Sequence, residues 1–308
     1  MTGIDMIGTG VTETGAAVAT LAPAKVNLTL RVRGRRADGY HELESLVAFA
    51  PFGDRLTLTP GGPLELDVSG PAAGGAGPLD DNLVVRAVRA LAGRIDGLAA
   101  GRFGLHKALP SGAGLGGGSS DAAAALRLVA QLNGIALDDP RLYDAARATG
   151  ADVPVCLQGR PCVMRGIGER LSAPLRLPPL GIVIVHPGFA TATGPVFKAL
   201  GLAPGDAHPV SGAAPAYGED SLDGAPAETF LGWLASERND LETPAIATAP
   251  AIAAVLAVIA GLPGCRLARM SGSGSACFGL FDDGEVAAAA AAAAAQAEAS
   301  FWVRAGTL

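Results

Sequence analysis

The sequence predicts a two-domain α+β fold. The chain has 308 residues, which is enough for one large or two medium domains with a sizeable core. Strand patterns and helical patterns alternate along the chain. Residues 172–179 end with Pro178 and Pro179, which break regular structure, so the boundary between two domains is expected there. Beyond this stretch, the order strand, helices, strand, strand, helix, strand is typical of a ferredoxin-like half. We expect a flexible N-terminal extension, a first domain and a second domain, over residues 1–21, 22–175 and 176–308.

The composition excludes several classes of protein. Hydrophobic residues make up 49% of the chain, which indicates a globular protein and not a disordered one. The formal net charge is −6, whereas a nucleic-acid-binding surface normally shows a basic excess, so no nucleic-acid partner is expected. No signal-peptide pattern and no convincing membrane span is recognisable, so we expect a cytoplasmic protein without a membrane partner. The sequence leaves open whether the protein is a monomer or a homodimer.

The four cysteines do not show the spacing of a metal site. Cys156, Cys162, Cys265 and Cys277 form no C-x-x-C pair, and no histidine lies at metal-ligand spacing from them. We interpret them as reduced, mostly buried thiols of a cytosolic protein.

The first strand pattern runs from Ala22 to Arg33. Apolar and polar residues alternate along it, which predicts a half-buried strand. The apolar face carries Val26, Leu28, Leu30 and Val32, and the polar face carries Lys25, Asn27, Thr29 and Arg31. Because an exposed lysine is ordinary in proteins, residue types alone favour a solvated polar face.

A glycine-rich loop at 110–121 is the stretch around which the chain is organised. Five glycines follow Pro110, and a Ser-Ser-Asp cap at 119–121 leads into a helical pattern over 122–132. Glycines allow another group to approach the backbone closely. Unpaired N–H groups and the helix dipole at a helix N-terminus attract anions, phosphate above all. The loop therefore predicts a phosphate site.

Three other interpretations of this loop fit less well. It is not a Walker A loop, because no lysine follows the glycines. It is not a dinucleotide fingerprint, because the acid expected about 20 residues further on would be Asp138 or Asp139, at the start of the next helix. A flexible linker is the structural alternative. The abrupt cap and the long helix directly after it argue against a linker.

Further polar residues lie at predicted turns and helix ends. Asp38 and Gly39 form a turn signal, and Tyr40 and His41 follow it at a loop edge. A lone histidine is more often structural than functional. Asn82 precedes an apolar helical pattern and is expected to cap it.

Asp152 follows the predicted helix over 140–149, which begins with Pro140 and ends at Gly150. It lies just before Pro154. A turn-forming aspartate is the structural alternative for this residue.

Four segments resemble motifs of the GHMP kinases, and they occur in the order of that family. They are PAKVNL at 23–28, ADGYHEL at 37–43, PSGAGLGGGSSD at 110–121 and GADVPV at 150–155. The resemblance covers about residues 22 to 304. It implies the two-domain GHMP kinase fold, with a first half like domain 2 of ribosomal protein S5, a ferredoxin-like second half and an active site in the cleft between them.

The resemblance also implies an activity and its ligands. ADGYHEL is typical of the branch of the family that phosphorylates the 2-hydroxyl of 4-diphosphocytidyl-2-C-methyl-D-erythritol, in the non-mevalonate route of isoprenoid and terpenoid synthesis. ATP would be the donor and Mg²⁺ would bridge its phosphates, with no metal ligand assigned. Two alternatives stay open: another GHMP small-molecule kinase of the homoserine or mevalonate type, and a non-catalytic nucleotide-binding relative.

The family motifs imply roles for individual residues. The catalytic pair would be Lys25 and Asp152, with Asp152 as the general base. The substrate, with its cytidine stacked on aromatic rings, would contact Asn27, Tyr40, His41, Thr193 and Phe197. ATP would contact Asn82, Lys107, Pro110, Ser111, Gly112, Ala113, Gly114, Leu115, Gly116, Gly117, Gly118, Ser119 and Ser120. The long Gly/Pro/Ala-rich loop at 201–225 has no role implied by the resemblance.

Overall fold

A computed structural model describes residues 15–208 and 218–308. The first half is built on a seven-stranded sheet whose strands β1 to β7 are Val18–Asn27, Arg31–Arg35, His41–Pro60, Glu65–Ser69, Gly101–His106, Cys162–Gly166 and Arg170–Leu171. The long strand β3 is its centre and pairs with β1, β2, β5 and β6. Only the β4–β5 pair is parallel. Since β1 and β5 both lie beside β3, residues far apart in sequence meet at one edge of the cleft described below.

The first strand differs from the prediction in its bounds and in its burial. β1 begins at Val18, so the last residues of the predicted 1–21 extension belong to the sheet, and residues 1–14 lie outside the described part of the chain. The predicted strand over 22–33 is interrupted at 28–30, where the N–H groups of Leu28 and Thr29 both donate to the Leu46 carbonyl. The polar face is buried too, because its side chains find partners in both halves: Lys25 pairs with Asp152 of the first half, and Arg31 pairs with Glu237 of the second.

Four helices cover the sheet of the first half. They are α1 to α4, Leu83–Ala92, Gly117–Leu132, Pro140–Thr149 and Val153–Gln158. The predicted helices after the glycine loop and over 140–149 are confirmed. Asn82 caps α1 as expected, since its Oδ1 accepts a hydrogen bond from the Val84 N–H at 3.0 Å. The alanines at 122–125 are fully buried, and their small side chains let α2 lie in the centre of this half.

The second half is built on a four-stranded antiparallel sheet in the order β11-β8-β10-β9. Its strands β8 to β11 are Gly181–His186, Leu267–Met270, Cys277–Phe281 and Trp302–Thr307. Its helices α5 to α10 are Thr193–Lys198, Glu219–Leu222, Ala227–Ser236, Glu242–Thr248, Ala251–Ala260 and Gly284–Ala297. The first strand of this half lies beside the last, so the predicted ferredoxin-like arrangement is confirmed.

The two halves share part of their core. Val26 and Leu28 of β1 belong to the same buried cluster as Ile182 and Ile184 of β8 and Phe278 of β10. The domain boundary between 175 and 176 therefore stays a prediction. The four cysteines are free thiols, and three of them are buried. Within the two described ranges, no helix is both long and apolar enough to cross a membrane.

Candidate active site

A cleft of about 1100 Å³ lies between the two halves. The first half contributes β1, the glycine loop and the turn before α4, and the second half contributes α5 and the turn between β9 and β10. All the residues assigned to the site from sequence line this cleft, with the exception of Ser120. The structure thus brings the predicted residues together, and the role of each stays a prediction.

The glycine loop forms one wall of the cleft. Gly112, Gly114 and Gly116 have φ values of +65°, +76° and +64°, a region that other residues rarely adopt. Ala113 and Leu115, which alternate with them, are buried in the core. The buried side chains anchor the loop, and the glycines leave its backbone open to the cleft.

Both halves of the protein hold this loop by its carbonyl groups. The Leu115 carbonyl accepts a hydrogen bond from the backbone N–H of Lys25 at 2.8 Å. The Gly114 carbonyl accepts one from the Ser271 hydroxyl at 3.1 Å. The N–H groups in the first turn of α2 have no partner within the helix, and the helix dipole adds positive charge there. This wall is therefore suited to hold phosphate.

Helix α2 begins earlier than the Ser-Ser-Asp sequence predicts. Its N-cap is Gly116 in a left-handed conformation, so residues 119–121 lie inside the helix and not at the cap. Successive residues of a helix point in directions about 100° apart. Ser119 lines the cleft, whereas Ser120 is buried and its hydroxyl donates to the Pro23 carbonyl at 2.6 Å. The assignment of Ser120 to the ATP site is therefore not supported by its orientation.

Lys25 and Asp152 form an ion pair inside the cleft. The distance from Lys25 Nζ to Asp152 Oδ2 is 3.0 Å, and the two side chains are 5% and 33% exposed. The pairing of β1 with β3 shifts by two residues between Pro23 and Lys25, and such a bulge re-aims the side chain that follows it. Nζ also donates to Asn27 Oδ1 at 2.8 Å. The ammonium group is therefore fixed in position and direction.

Asn27 links this pair to the interior of the protein. Its Nδ2 donates to the Ser45 hydroxyl at 2.7 Å, and its backbone N–H donates to the Ser271 hydroxyl at 3.1 Å. Since the amide nitrogen is used towards Ser45, the amide oxygen faces Lys25. Asn27 is 1% exposed, so its contact with a substrate would be made from a fixed side chain.

Asp152 is positioned by the start of α4. It is the residue before the helix, and Pro154 occupies the first turn, where its missing N–H does no harm. The Asp152 side chain makes no capping hydrogen bond. The carboxylate is therefore left for Lys25 and for a ligand in the cleft, which goes beyond what a turn-forming aspartate requires.

A second charged cluster lies beneath the glycine loop. Lys107 Nζ donates to Asp54 Oδ2 and, at 2.6 Å, to Asp121 Oδ2, and all three residues are buried. Asp54 Oδ1 also accepts from the N–H groups of Ala108 and Leu109, at 2.5 and 2.8 Å. Burial lowers the pKa of Lys107, but the two carboxylates outweigh this effect and raise the pKa overall. The cluster ties β3, the end of β5 and α2 together where the loop begins.

Asp121 is expected to make the stability of this protein fall as pH rises from weakly acidic to neutral. Burial raises the pKa of Asp121 from 3.8 to about 7, although Lys107 opposes the shift. Between these values the folded protein holds a proton that the unfolded chain has lost, so the free energy of unfolding decreases with increasing pH. Asp121→Asn removes this titration. The stability of the variant relative to the parent should increase by about 2 kcal/mol between pH 5 and pH 8.

Urea unfolding of both proteins, without nucleotide or metal, across this pH range measures the difference. Asp144→Asn, at an exposed position on α3, is the control and should leave the pH dependence unchanged. Parallel stability curves for Asp121→Asn and the parent would contradict the assignment.

His41 and Phe197 both line the cleft and contact each other. Their ring centroids are 4.6 Å apart and the rings are tilted by 33°. This is the contact distance of an aromatic pair, so a base stacks between them only if the rings separate. Tyr40 is 60% exposed at the mouth of the cleft. Burial, and then the charge of Arg35, lowers the pKa of His41, which favours the neutral imidazole at neutral pH.

Several residues around the cleft were not predicted from sequence. Asp54 is not among the site residues that the sequence predicts. A single acid within an apolar strand pattern was the available signal for its burial. The Ser273 hydroxyl lies 3.0 Å from that of Thr193, a contact that no local pattern indicates. Arg35 lines the cleft with no signal beyond its place before the turn at 38–39.

Comparisons with known proteins agree with this geometry. The chain matches the family models described as GHMP kinases N terminal domain, over residues 82–160, and GHMP kinases C terminal, over residues 228–299. It is 56% identical over 290 residues to the 4-diphosphocytidyl-2-C-methyl-D-erythritol kinase of Methylorubrum extorquens (strain PA1), covering 92% of this chain and 96% of the relative.

Two solved structures resemble this one. A crystal structure of 4-(cytidine 5'-diphospho)-2C-methyl-D-erythritol kinase gives a TM-score of 0.73 at 38% identity, covering 94% of this chain and 98% of that chain. Homoserine kinase from Cytophaga hutchinsonii gives 0.71 at 19% identity, covering 99% of this chain and 98% of that chain, a likeness of fold alone. The chain therefore belongs to the GHMP kinases and, within them, to the family of 4-diphosphocytidyl-2-C-methyl-D-erythritol kinases.

Proposed function

We propose that this protein transfers the γ-phosphate of ATP to the 2-hydroxyl of 4-diphosphocytidyl-2-C-methyl-D-erythritol, with ADP and the 2-phosphate as products, in the non-mevalonate route to isoprenoids. The observation that carries the proposal is the Lys25–Asp152 ion pair in a cleft walled by a glycine loop. The names of relatives that match 92% of the chain support the choice of substrate.

The ATP phosphates would bind along the loop and the N-terminus of α2. Phosphoryl transfer depends mainly on positioning and on the neutralisation of charge. Backbone N–H groups of the loop and the first helical turn supply both without a flexible side chain. Lys107 would support the site from below, because its charge is already shared by two carboxylates. Asn82, whose side chain caps α1, would shape the nucleotide end.

Mg²⁺ would lie between the phosphates of ATP. This ion prefers oxygen ligands and is commonly held through substrate phosphates with few protein contacts. The Ser119 side chain lines the cleft in the first turn of α2, so its hydroxyl is the group that fits such a contact. When bound, the ion would neutralise phosphate charge.

Asp152 would accept the proton of the substrate hydroxyl. Its carboxylate is the partly exposed member of the ion pair, so it can reach a hydroxyl in the cleft. Lys25 is held between Asp152 and Asn27 and would offset negative charge as the phosphoryl group moves. Its ammonium group is already oriented, so it needs no rearrangement during the reaction.

The cytidine end of the substrate would lie near Tyr40, His41 and Phe197. An aromatic ring stacked on a base contributes about 1–3 kcal/mol. Because His41 and Phe197 are in contact, stacking between them requires the rings to separate as the base enters. Thr193, whose hydroxyl meets that of Ser273, would lie beside the same end of the substrate.

A coupled ADP-release assay tests this function. The protein is supplied with ATP, Mg²⁺ and one alcohol at a time: 4-diphosphocytidyl-2-C-methyl-D-erythritol, homoserine or mevalonate. We expect kcat/KM for the cytidyl substrate to exceed that for the other two by at least about 10⁴, because the buried polar groups of the site would be left unpaired by them. Preferential turnover of homoserine or mevalonate would assign a different GHMP kinase activity. Absence of turnover with ATP bound would indicate a non-catalytic relative.

A further inference from the structure

A segment of the second half crosses back to the first half beside the cleft. Residues 201–208, which we call the strap, follow α5 and run along β2. The Arg35 N–H donates to the Asp206 carbonyl at 2.8 Å, and the Gly205 N–H donates to the Arg35 carbonyl at 2.7 Å. Gly34 forms an isolated antiparallel bridge with Ala207. The strap therefore acts as a short additional strand on the outer edge of β2.

Close approach of the two backbones depends on a glycine. A Cβ on Gly34 would lie 2.5 Å from the Asp206 carbonyl oxygen and 3.2 Å from the Ala207 Cα. Real Cβ atoms essentially never come within 3.0 Å of a backbone oxygen, so any side chain at position 34 would push the strap away. The contact is thus built into the sequence of β2.

Arg35 connects the strap to the turn that follows β2. Its Nε donates to the Gly39 carbonyl at 3.1 Å, and its Nη1 donates to the Leu202 carbonyl at 3.0 Å. Arg35 and Leu202 both line the cleft. One planar guanidinium group therefore joins the turn that leads to Tyr40 with the segment that leaves α5.

These contacts lie beside the two rings that line the cleft. The turn held by Arg35 leads directly into His41, and the strap leaves the helix that carries Phe197. The spacing of the two rings is thus connected to β2 on one side and to the strap on the other. A change in the contact between the strap and β2 would change the distance between the His41 and Phe197 rings, and with it the space available to a base.

We propose that the strap determines how tightly the base of the substrate is held, with Arg35 as the positioning residue that sets the distance between His41 and Phe197. This rests on the proposed function, in which a pyrimidine nucleoside diphosphate is part of the substrate. Arg35 acts through the turn and the strap and needs no contact with the reacting atoms. Arg35 donates to the Gly39, Leu202 and Asp206 carbonyls and to no atom of the glycine loop, along which the ATP phosphates would lie, so we expect ATP binding to be unaffected.

Two substitutions test the proposal. Arg35→Ala removes the guanidinium group that joins the turn to the strap, and Gly34→Ala pushes the strap away from β2. We expect Arg35→Ala to raise KM for the cytidyl substrate, and Kd for CDP by calorimetry, about tenfold, because two charge-assisted hydrogen bonds are lost. KM for ATP and kcat should stay within about twofold, the pattern of lost substrate binding without lost transition-state stabilisation. Arg35→Lys should restore only part of the affinity, since an ammonium group cannot bridge both carbonyls as the guanidinium does. Gly34→Ala should change the same two constants in the same direction.

Two controls separate this effect from a general loss of structure. Gly232→Ala adds a methyl group where nothing lies within 4 Å. Arg141→Ala removes an exposed arginine that pairs with Asp139 on α3. Neither should change the affinity for CDP. The same loss in Arg141→Ala, an equal rise of both KM values in Arg35→Ala, or unchanged CDP affinity in Arg35→Ala would overturn the proposal.

The CDP titration keeps this test apart from the test of function. If the parent protein binds CDP but does not phosphorylate the cytidyl substrate, the proposed function fails, and the strap is still judged by the variants. If the parent protein turns the substrate over and Arg35→Ala binds CDP as tightly as the parent, only the strap proposal fails. If the parent protein does not bind CDP, the strap proposal is overturned.

Discussion

Replacing Asp152 by asparagine is expected to lower kcat by a factor of about 10²–10⁴, the usual contribution of a positioned general base. The amide keeps the shape of the carboxylate but cannot accept the proton of the substrate hydroxyl. Asp152 lies at the start of α4 and makes no capping bond, so the helix should form as before. ATP binds along the glycine loop in our proposal, so its affinity should stay within about twofold. The ADP-release assay and calorimetry with ATP measure the two quantities.

Asp144→Asn is the matched control for this change. It removes a carboxylate from the preceding helix, where Asp144 pairs with Arg147 at 2.8 Å on the surface. We expect its kcat to equal that of the parent protein. Near-normal kcat in Asp152→Asn would remove Asp152 from the reaction. A parallel loss of ATP affinity would mean that the Lys25–Asp152 pair serves nucleotide binding instead.

A single methyl group at Gly114 is expected to disable the glycine loop. A Cβ there would lie 2.4 Å from the Ser271 carbonyl oxygen and 3.0 Å from that of Gly274, and both are backbone atoms that cannot move aside easily. The φ of +76° adds strain of about 1–3 kcal/mol for any residue other than glycine. Gly114→Ala should therefore lower Tm and weaken ATP binding by at least about tenfold, because the wall of N–H groups is displaced.

Gly62→Ala separates the strain of a positive φ from the steric clash of the added methyl group. Its φ is +73°, close to that of Gly114, but nothing lies within 4 Å of the added methyl group. It should show the cost of the backbone conformation alone, with ATP affinity unchanged. If both variants lose the same stability and neither loses ATP affinity, the close approach of the loop to the 271–276 turn is not needed for nucleotide binding.

The local elements and the family could be recognised from the order of the amino acids. The helix starts predicted at Asn82, as a cap, and at Pro140, as a first-turn residue, are confirmed because a helix end depends on the few residues around it. The glycine loop could be recognised because glycine alone tolerates the conformations at 112, 114 and 116. Four motifs in order then identified the GHMP kinases, since their chemistry requires those residue types at those places.

Tertiary structure alone decided which polar residues are buried and what they contact. The alternation around Lys25 and Asn27 is the same whether a face meets water or protein, and here both residues are buried against distant parts of the chain. Asn27 meets Ser271 across 244 residues, and Asp54 meets Lys107 across 53. Such contacts come from the pairing of strands and the packing of halves.

The features of the site therefore fall into two groups, those set by neighbours in sequence and those set by neighbours in space. Residue types and local conformation, which neighbours in sequence control, could be read from the chain. The direction of Ser120, the buried charges under the loop and the strap on β2 depend on segments that meet only in the folded protein, and no local pattern encodes their distances.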